Sequence, residues 1–262
     1  MLWASLTALL LIAPVGFFVW RTIRRRRALA APFPAEWDRW LSRYVPLEAA
    51  LDGESRRRLR RQVQAFVYDK RFFGCAGQEI SDAVRVAVAG NACLLLAHRE
   101  GPVFPRLRFV LVYAAGFVVE HEEEDEAGVV THHRSERLGE SWEDGKMIVS
   151  WEDVVYDADH PYDGENLVVH EAAHQLDAED GAMNGTPRLP AGLVARWREV
   201  MSAEYDALCA AVDAGRDTWI DPYAATEPSE FFAVVSEHFV EQRAELADRH
   251  PRLFELLSAV YG

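Results

Sequence analysis

The chain has 262 residues, half of them hydrophobic, which is enough for one large domain or two small ones with a true core, and it carries no internal repeat or low-complexity tract. Its formal charge of −14 weighs against a nucleic-acid partner, because an acidic body repels phosphate. Three widely spaced cysteines, Cys75, Cys93 and Cys209, exclude a disulfide scaffold or a cysteine metal site, and each reads as a small, reduced core residue.

Residues 1–20 carry no charge and, as a helix, would span about 30 Å, the thickness of a bilayer's hydrocarbon core. Trp3 and Trp20 stand near the two ends, where interfacial aromatics belong. Arg21, Arg24, Arg25, Arg26 and Arg27 follow at once, and positive charge marks the cytoplasmic side. A cleaved signal peptide carries its charge before the apolar run, and here it comes after. The expectation is a single-pass anchor in the inner (cytoplasmic) membrane, then a basic linker over 21–34, then one domain over 35–262 held in the cytoplasm.

Charge is divided unevenly along the chain. Met1 to Arg71 holds 14 of the 28 Lys and Arg against six acids, a balance of +8, so the remainder carries −22. Helices are expected over Glu36 to Arg43 and Gly53 to Tyr68. The second carries Arg56, Arg57, Arg58, Arg60 and Arg61, which suit either anionic lipid or an ordinary solvated face. Asp82 to Arg99 reads as strand then helix, and Arg108 to Glu120 as a strand. His121 to Gly128 reads as a hairpin tip or loop, with His132 and His133 solvated nearby. Lys146 to Val155 reads as a further strand, of the kind that can pair with an extended substrate or simply belong to a sheet.

The run Val168 to Leu176, VVHEAAHQL, contains His170, Glu171 and His174 in the order H-E-x-x-H. Residues four apart share a helix face, so both imidazoles can point at one metal ion. Glu171, beside the first of them, can reach the water that such a metal would activate. Asp163 is a plausible cap for a helix over Gly164 to Asp177, and Leu167, Val168, Ala172 and Leu176 give it an apolar side. Two histidines and a glutamate facing a core would cost several kcal/mol each if unpaired, and a metal supplies the pairing.

Zinc in a hydrolase takes three protein ligands. Asp180 is one candidate for the third, but that spacing needs a glycine where Asp177 stands. Glu230 is the stronger. Pro228 suits the first turn of a helix over Ser229 to Gln242, with Thr226 or Glu227 capping it, and Glu230, Ala233, Val234 and Glu237 then share a face. Ala191 to Ala214 and Pro251 to Tyr261 are also expected to be helical. His98, His160, His238 and His250 have no partner at ligand spacing.

HEAAHQLDAEDGAMNGTP and DPYAATEPSEFFAVVSEHF, with KRFFGCAG and MIVSWEDV, resemble the Mlc titration factor A family of zinc-dependent peptidases from about Pro32 onward. The resemblance implies a gluzincin-type core related in fold to the anthrax lethal factor protease domain. The fold class expected is therefore α+β: a zincin-like domain, mainly helical with a small mixed sheet. The resemblance also implies one zinc per chain held by His170, His174 and Glu230, Glu171 as general base, and Tyr223 facing the reacting water. The activity implied is peptide hydrolysis, aminopeptidase-like, on a peptide or protein substrate. The alternative it carries is a regulatory module that sequesters a transcriptional repressor, with zinc mainly structural.

Overall fold

The computed structural model describes residues 20, 22–115, 119–124, 130–135 and 145–262, so the expected membrane span over 1–20 lies outside the described residues apart from its last. Among the described residues no helix is long and apolar enough to cross a membrane. Residues 22–30, within the expected linker, are helical. Arg25 ties this segment to the domain through Asp69, 2.7 Å away.

The remaining helices are α1 (Ala35–Tyr44), α2 (Gly53–Asp69), α3 (Asp82–Leu94), α4 (Trp151–Asp159), α5 (Leu167–Asp177), α6 (Val194–Asp213), α7 (Pro228–Glu241), α8 (Arg243–Arg249) and α9 (Pro251–Tyr261). The strands are β1 (Arg71–Cys75), β2 (Phe109–Tyr113), β3 (Val119–Glu124), β4 (Val130–Ser135) and β5 (Lys146–Ser150). The fold is mainly helical with a small sheet, which is an α+β arrangement. Among the described residues the sheet is not mixed. It is three-stranded and parallel, in the order β1-β2-β5, while β3 and β4 form a separate antiparallel pair. The physical reason is the connection through α3, which returns the chain to start β2 in the direction of β1.

Several boundaries differ from the sequence reading. Residues 82–94 form helix from the outset, capped by the Ser81 hydroxyl on the Val84 N–H. Their valines favour a strand, but nearly every side of α3 is buried, and packing overrides propensity there. The expected strand over Lys146 to Val155 stops at Ser150, whose side chain accepts from Asp153 N–H and starts α4. The stretch Arg108 to Glu120 divides into β2 and β3. The backbone of 121–124 continues strand β3, in place of the expected loop, and the rest of that tip lies outside the described residues. The side chains of His132 and His133 also lie outside them.

The basic face of α2 is paired within the domain. Arg58 reaches Glu54 and Glu100 at 2.8 Å, Arg60 reaches Asp38 at 2.7 Å, and Arg56 and Arg61 lie 3.6 and 3.5 Å from Glu48 and Glu100. The acids next to this stretch thus take up most of its charge.

The sheet presents Val110, Val112, Met147 and Val149 to the core, where α5 packs beside β5. The side-chain amide of Gln175 donates to the Lys146 carbonyl at 2.9 Å, fixing helix against strand. Helix α5 buries Val168, Val169, Ala172, Ala173 and Leu176, and α7 lies against it with Phe231, Phe232, Ala233 and Val235 buried. The functional side chains sit at this α5–α7 contact.

Candidate metal centre

Asn166, not Asp163, caps α5, its side chain accepting from the Val169 N–H at 3.0 Å. Asp163 instead accepts from Glu165 N–H in the preceding turn, where Gly164 at φ +99° adopts a backbone that would strain any side chain. From this start, His170 and His174 project one turn apart toward α7. Glu230 enters from the first turn of α7, behind Pro228 at the helix start.

The three side chains converge on one point. His170 Nε2 lies 3.0 Å from Glu230 Oε2, His174 Nε2 lies 3.4 Å from the same oxygen, and the two Nε2 atoms are 3.1 Å apart. Donors held tetrahedrally at roughly 2.0–2.2 Å from a zinc ion stand about 3.3–3.5 Å from one another. The observed triangle matches that spacing to within a few tenths of an ångström. Two imidazole nitrogens and one carboxylate oxygen are also the donor set that suits zinc or a similar borderline cation. Among the described residues these three form the recorded group able to hold a metal ion. Asp180, the other candidate, is exposed on the turn after α5, where it accepts from Ala182 N–H.

Electrostatics point the same way. Burial by itself lowers the pKa of His170, but the charge of Glu237 and hydrogen bonds to Glu230 and Glu237 outweigh it and lift the group to about 10. Burial by itself raises Glu230, yet hydrogen bonds from His170 and His174 hold its carboxyl well below the usual range. His174 is lowered, first by burial. The acidic partners of His170 therefore favour positive charge at this point.

Glu171, 2% exposed, is on the same helix beside His170. Tyr223 belongs to the short 3-10 turn Pro222–Ala225, which Asp221 caps by accepting from Tyr223 N–H. Its ring centroid is 6.3 Å from that of His170, and the residue is 42% exposed. The structure thus brings His170, His174 and Glu230 together, with Glu171 next along the same helix and the Tyr223 ring near His170.

It also adds residues that the sequence reading assigned no role. Glu237 Oε1 lies 2.7 Å from His170 Nδ1, and its Oε2 accepts from Asn166 N–H at 2.6 Å. Glu241, one turn on, accepts from the Tyr162 N–H at 2.6 Å and the Asn166 side-chain amide at 3.0 Å. Asp157 of α4 accepts from Leu167 N–H at 2.9 Å, and burial pushes its carboxyl up to about 8. The available signal was Glu237, seven residues after Glu230 on one helical face. Asp177, fully buried, accepts from the N–H groups of Gly185 and Thr186, both at 2.7 Å.

Comparison with known proteins follows the same lines. Residues 20–262 match the model of the glucose-regulated metallo-peptidase M90 family. An uncharacterized protein of Synechocystis sp. is 37% identical over 248 residues, covering 94% of this chain and 90% of its own. Mlc titration factor A of Cronobacter sakazakii is 32% identical over 246 residues, covering 93% and 91%. Mlc titration factor A of Enterobacter sp. is 33% identical over 228 residues, covering 86% and 84%.

Proposed function

The chain belongs to the glucose-regulated metallo-peptidase M90 family, and from that footing we propose that it is a zinc-dependent peptidase acting in an aminopeptidase-like manner on short peptides. The observation that carries the reading is the triangle of His170 Nε2, His174 Nε2 and Glu230 Oε2, 3.0–3.4 Å on a side, with Glu171 next to it on the same helix. His170, His174 and Glu230 would hold one zinc ion. Bound there, zinc would polarise a peptide carbonyl and lower the pKa of a coordinated water from 15.7 to about 7.

The chain's own groups supply the rest. Glu171 accepts the proton of the attacking water and passes it to the leaving amine. Tyr223 donates its hydroxyl proton in a hydrogen bond to the carbonyl oxygen as that atom gains charge. The aminopeptidase-like character is carried over from the resemblance of the two metal-site segments. The uncharged segment 1–20 and the arginines after it support an inner-membrane anchor with the domain on the cytoplasmic side.

The test is digestion of a peptide library by the purified protein, with and without chelator, beside a Glu171→Gln variant. Hydrolysis from free N-termini that stops in chelator and in the variant supports the reading. Equal turnover by wild type and Glu171→Gln refutes it.

A second reading rests on the name of the Cronobacter and Enterobacter relatives, Mlc titration factor A. In that reading the domain sequesters a transcriptional repressor, and the metal serves mainly to hold α5 against α7. The intact Glu171 favours the peptidase, since a purely structural site needs no base. Repressor capture by Glu171→Gln, with no hydrolysis by wild type, would favour binding.

A further inference from the structure

We propose that Glu237 is a positioning residue that sets which nitrogen of His170 faces the metal, using the cap of the metal-bearing helix as its fixed point. This rests on the reading of His170, His174 and Glu230 as a metal site.

Glu237 is buried to 7% exposure, and among the described residues its ion pair is with His170. A carboxylate that far from water needs strong partners on both oxygens. It has them: His170 Nδ1 at 2.7 Å on Oε1, and the Asn166 N–H at 2.6 Å on Oε2. Both oxygens act as acceptors, so Nδ1 must carry a proton. In neutral imidazole the other nitrogen then holds the lone pair. That nitrogen is Nε2, which points at Glu230 and His174. The tautomer that can bind a metal is thus imposed by a carboxylate one step behind it.

The anchoring is what makes this more than a contact. Asn166 donates its backbone N–H to Glu237, its side-chain amide donates to Glu241, and its side-chain oxygen caps α5. Residues 237 and 241 lie one turn apart on α7, so a single helix face grips the cap of α5 at two points. Glu237 therefore cannot swing away from His170 without releasing the start of the helix that carries both histidines.

Glutamine at 237 has the same shape but one oxygen and one NH2. If its oxygen keeps Asn166 N–H, its NH2 must donate to His170 Nδ1. The proton of His170 then moves to Nε2, the nitrogen that the metal needs free. If the oxygen keeps His170, a buried N–H of Asn166 is left facing NH2. Either way, an isosteric change acts through the imidazole rather than through packing.

The experiment measures zinc affinity by chelator competition for wild type, Glu237→Gln and Glu241→Gln, with circular dichroism of the metal-free proteins as a folding check. Both variants replace a buried carboxyl on the same face of α7 by its amide, but only the first touches His170. Glu237→Gln should bind zinc about 10–100-fold more weakly, and Glu241→Gln, which loosens the cap of α5 but leaves His170 Nδ1 its acceptor, should lose clearly less. Wild-type affinity in Glu237→Gln, or equal loss in both variants, overturns the proposal. Absence of zinc binding by wild type would instead overturn the metal site itself. If Glu237→Gln does not fold, 15N-histidine spectra of zinc-loaded wild type decide the matter. A proton on His170 Nδ1 supports the assignment, and a proton on Nε2 refutes it.

Discussion

Replacing Asp177 should weaken the fold and the metal centre together, through the loop that supports Glu230. Asp177 ends α5 three residues after His174 and is fully buried. Its two oxygens accept from Gly185 and Thr186 N–H at 2.7 Å each. Gly185, at φ +74°, lies so close under the Pro228 carbonyl that a Cβ would collide with it. Pro228 opens α7, two residues before Glu230. In Asp177→Ala the Gly185 N–H is left buried without an acceptor, at about 1–3 kcal/mol. Thr186 is only half-buried and can find water, so its loss should lie at the low end of the same range.

Relief of the desolvated carboxylate, whose pKa burial raises despite these bonds, offsets part of the cost. The two lost bonds amount to about 2–4 kcal/mol before that offset, so the net loss should fall at about 1–3 kcal/mol. Asp177→Asn should recover little, because its amide has one acceptor for two donors. The assay is urea unfolding of the metal-free protein by circular dichroism, paired with zinc competition. A stability within about 0.5 kcal/mol of wild type for Asp177→Ala, the ordinary range of a surface substitution, with unchanged zinc affinity, would refute the reasoning.

Tyr223→Phe should fold and bind zinc normally yet lose roughly 10²–10³ in kcat, the cost of one oxyanion donor; steady-state kinetics on a peptide substrate checks it, and an unchanged kcat removes Tyr223 from the reaction. Glu230→Ala should release zinc readily in elemental analysis while Asp180→Ala retains it; the opposite pair of results would move the third ligand to Asp180. The His170–Glu230 pair should contribute its full stability to the metal-free protein between about pH 4.5 and 6.5, read as the difference between wild type and Glu230→Gln in denaturant titrations across pH. His170, raised from 6.5 to about 10, gives stability that is full below 6.5 and lost as pH climbs toward 10. Glu230, depressed from 4.5, gives stability that is present above 4.5 and lost as pH falls. Zinc affinity should instead rise with pH through this range, because the metal displaces the proton on His170.

The sequence by itself determined the parts of the site that obey local geometry. His170 and His174 share a face because 3.6 residues make a turn, and no tertiary fact is needed for that. Glu230 was legible because Pro228 sets a helix start and the spacing to Glu237 sets its face. What only the tertiary structure decided is which faces meet. The brace of Glu237 on His170 joins residues 67 apart, and the lock of Glu241 on Tyr162 joins residues 79 apart. No periodicity carries such pairings, because they depend on how α7 lies against α5. The same holds for the parallel register of Phe109 on Lys146, and for Asp38 and Glu100 meeting the arginines of α2. The helix over 82–94 shows the limit from the other side. Its valines favour a strand locally, and burial among α1, α2 and α5 outweighs a propensity difference of under about 1 kcal/mol per residue.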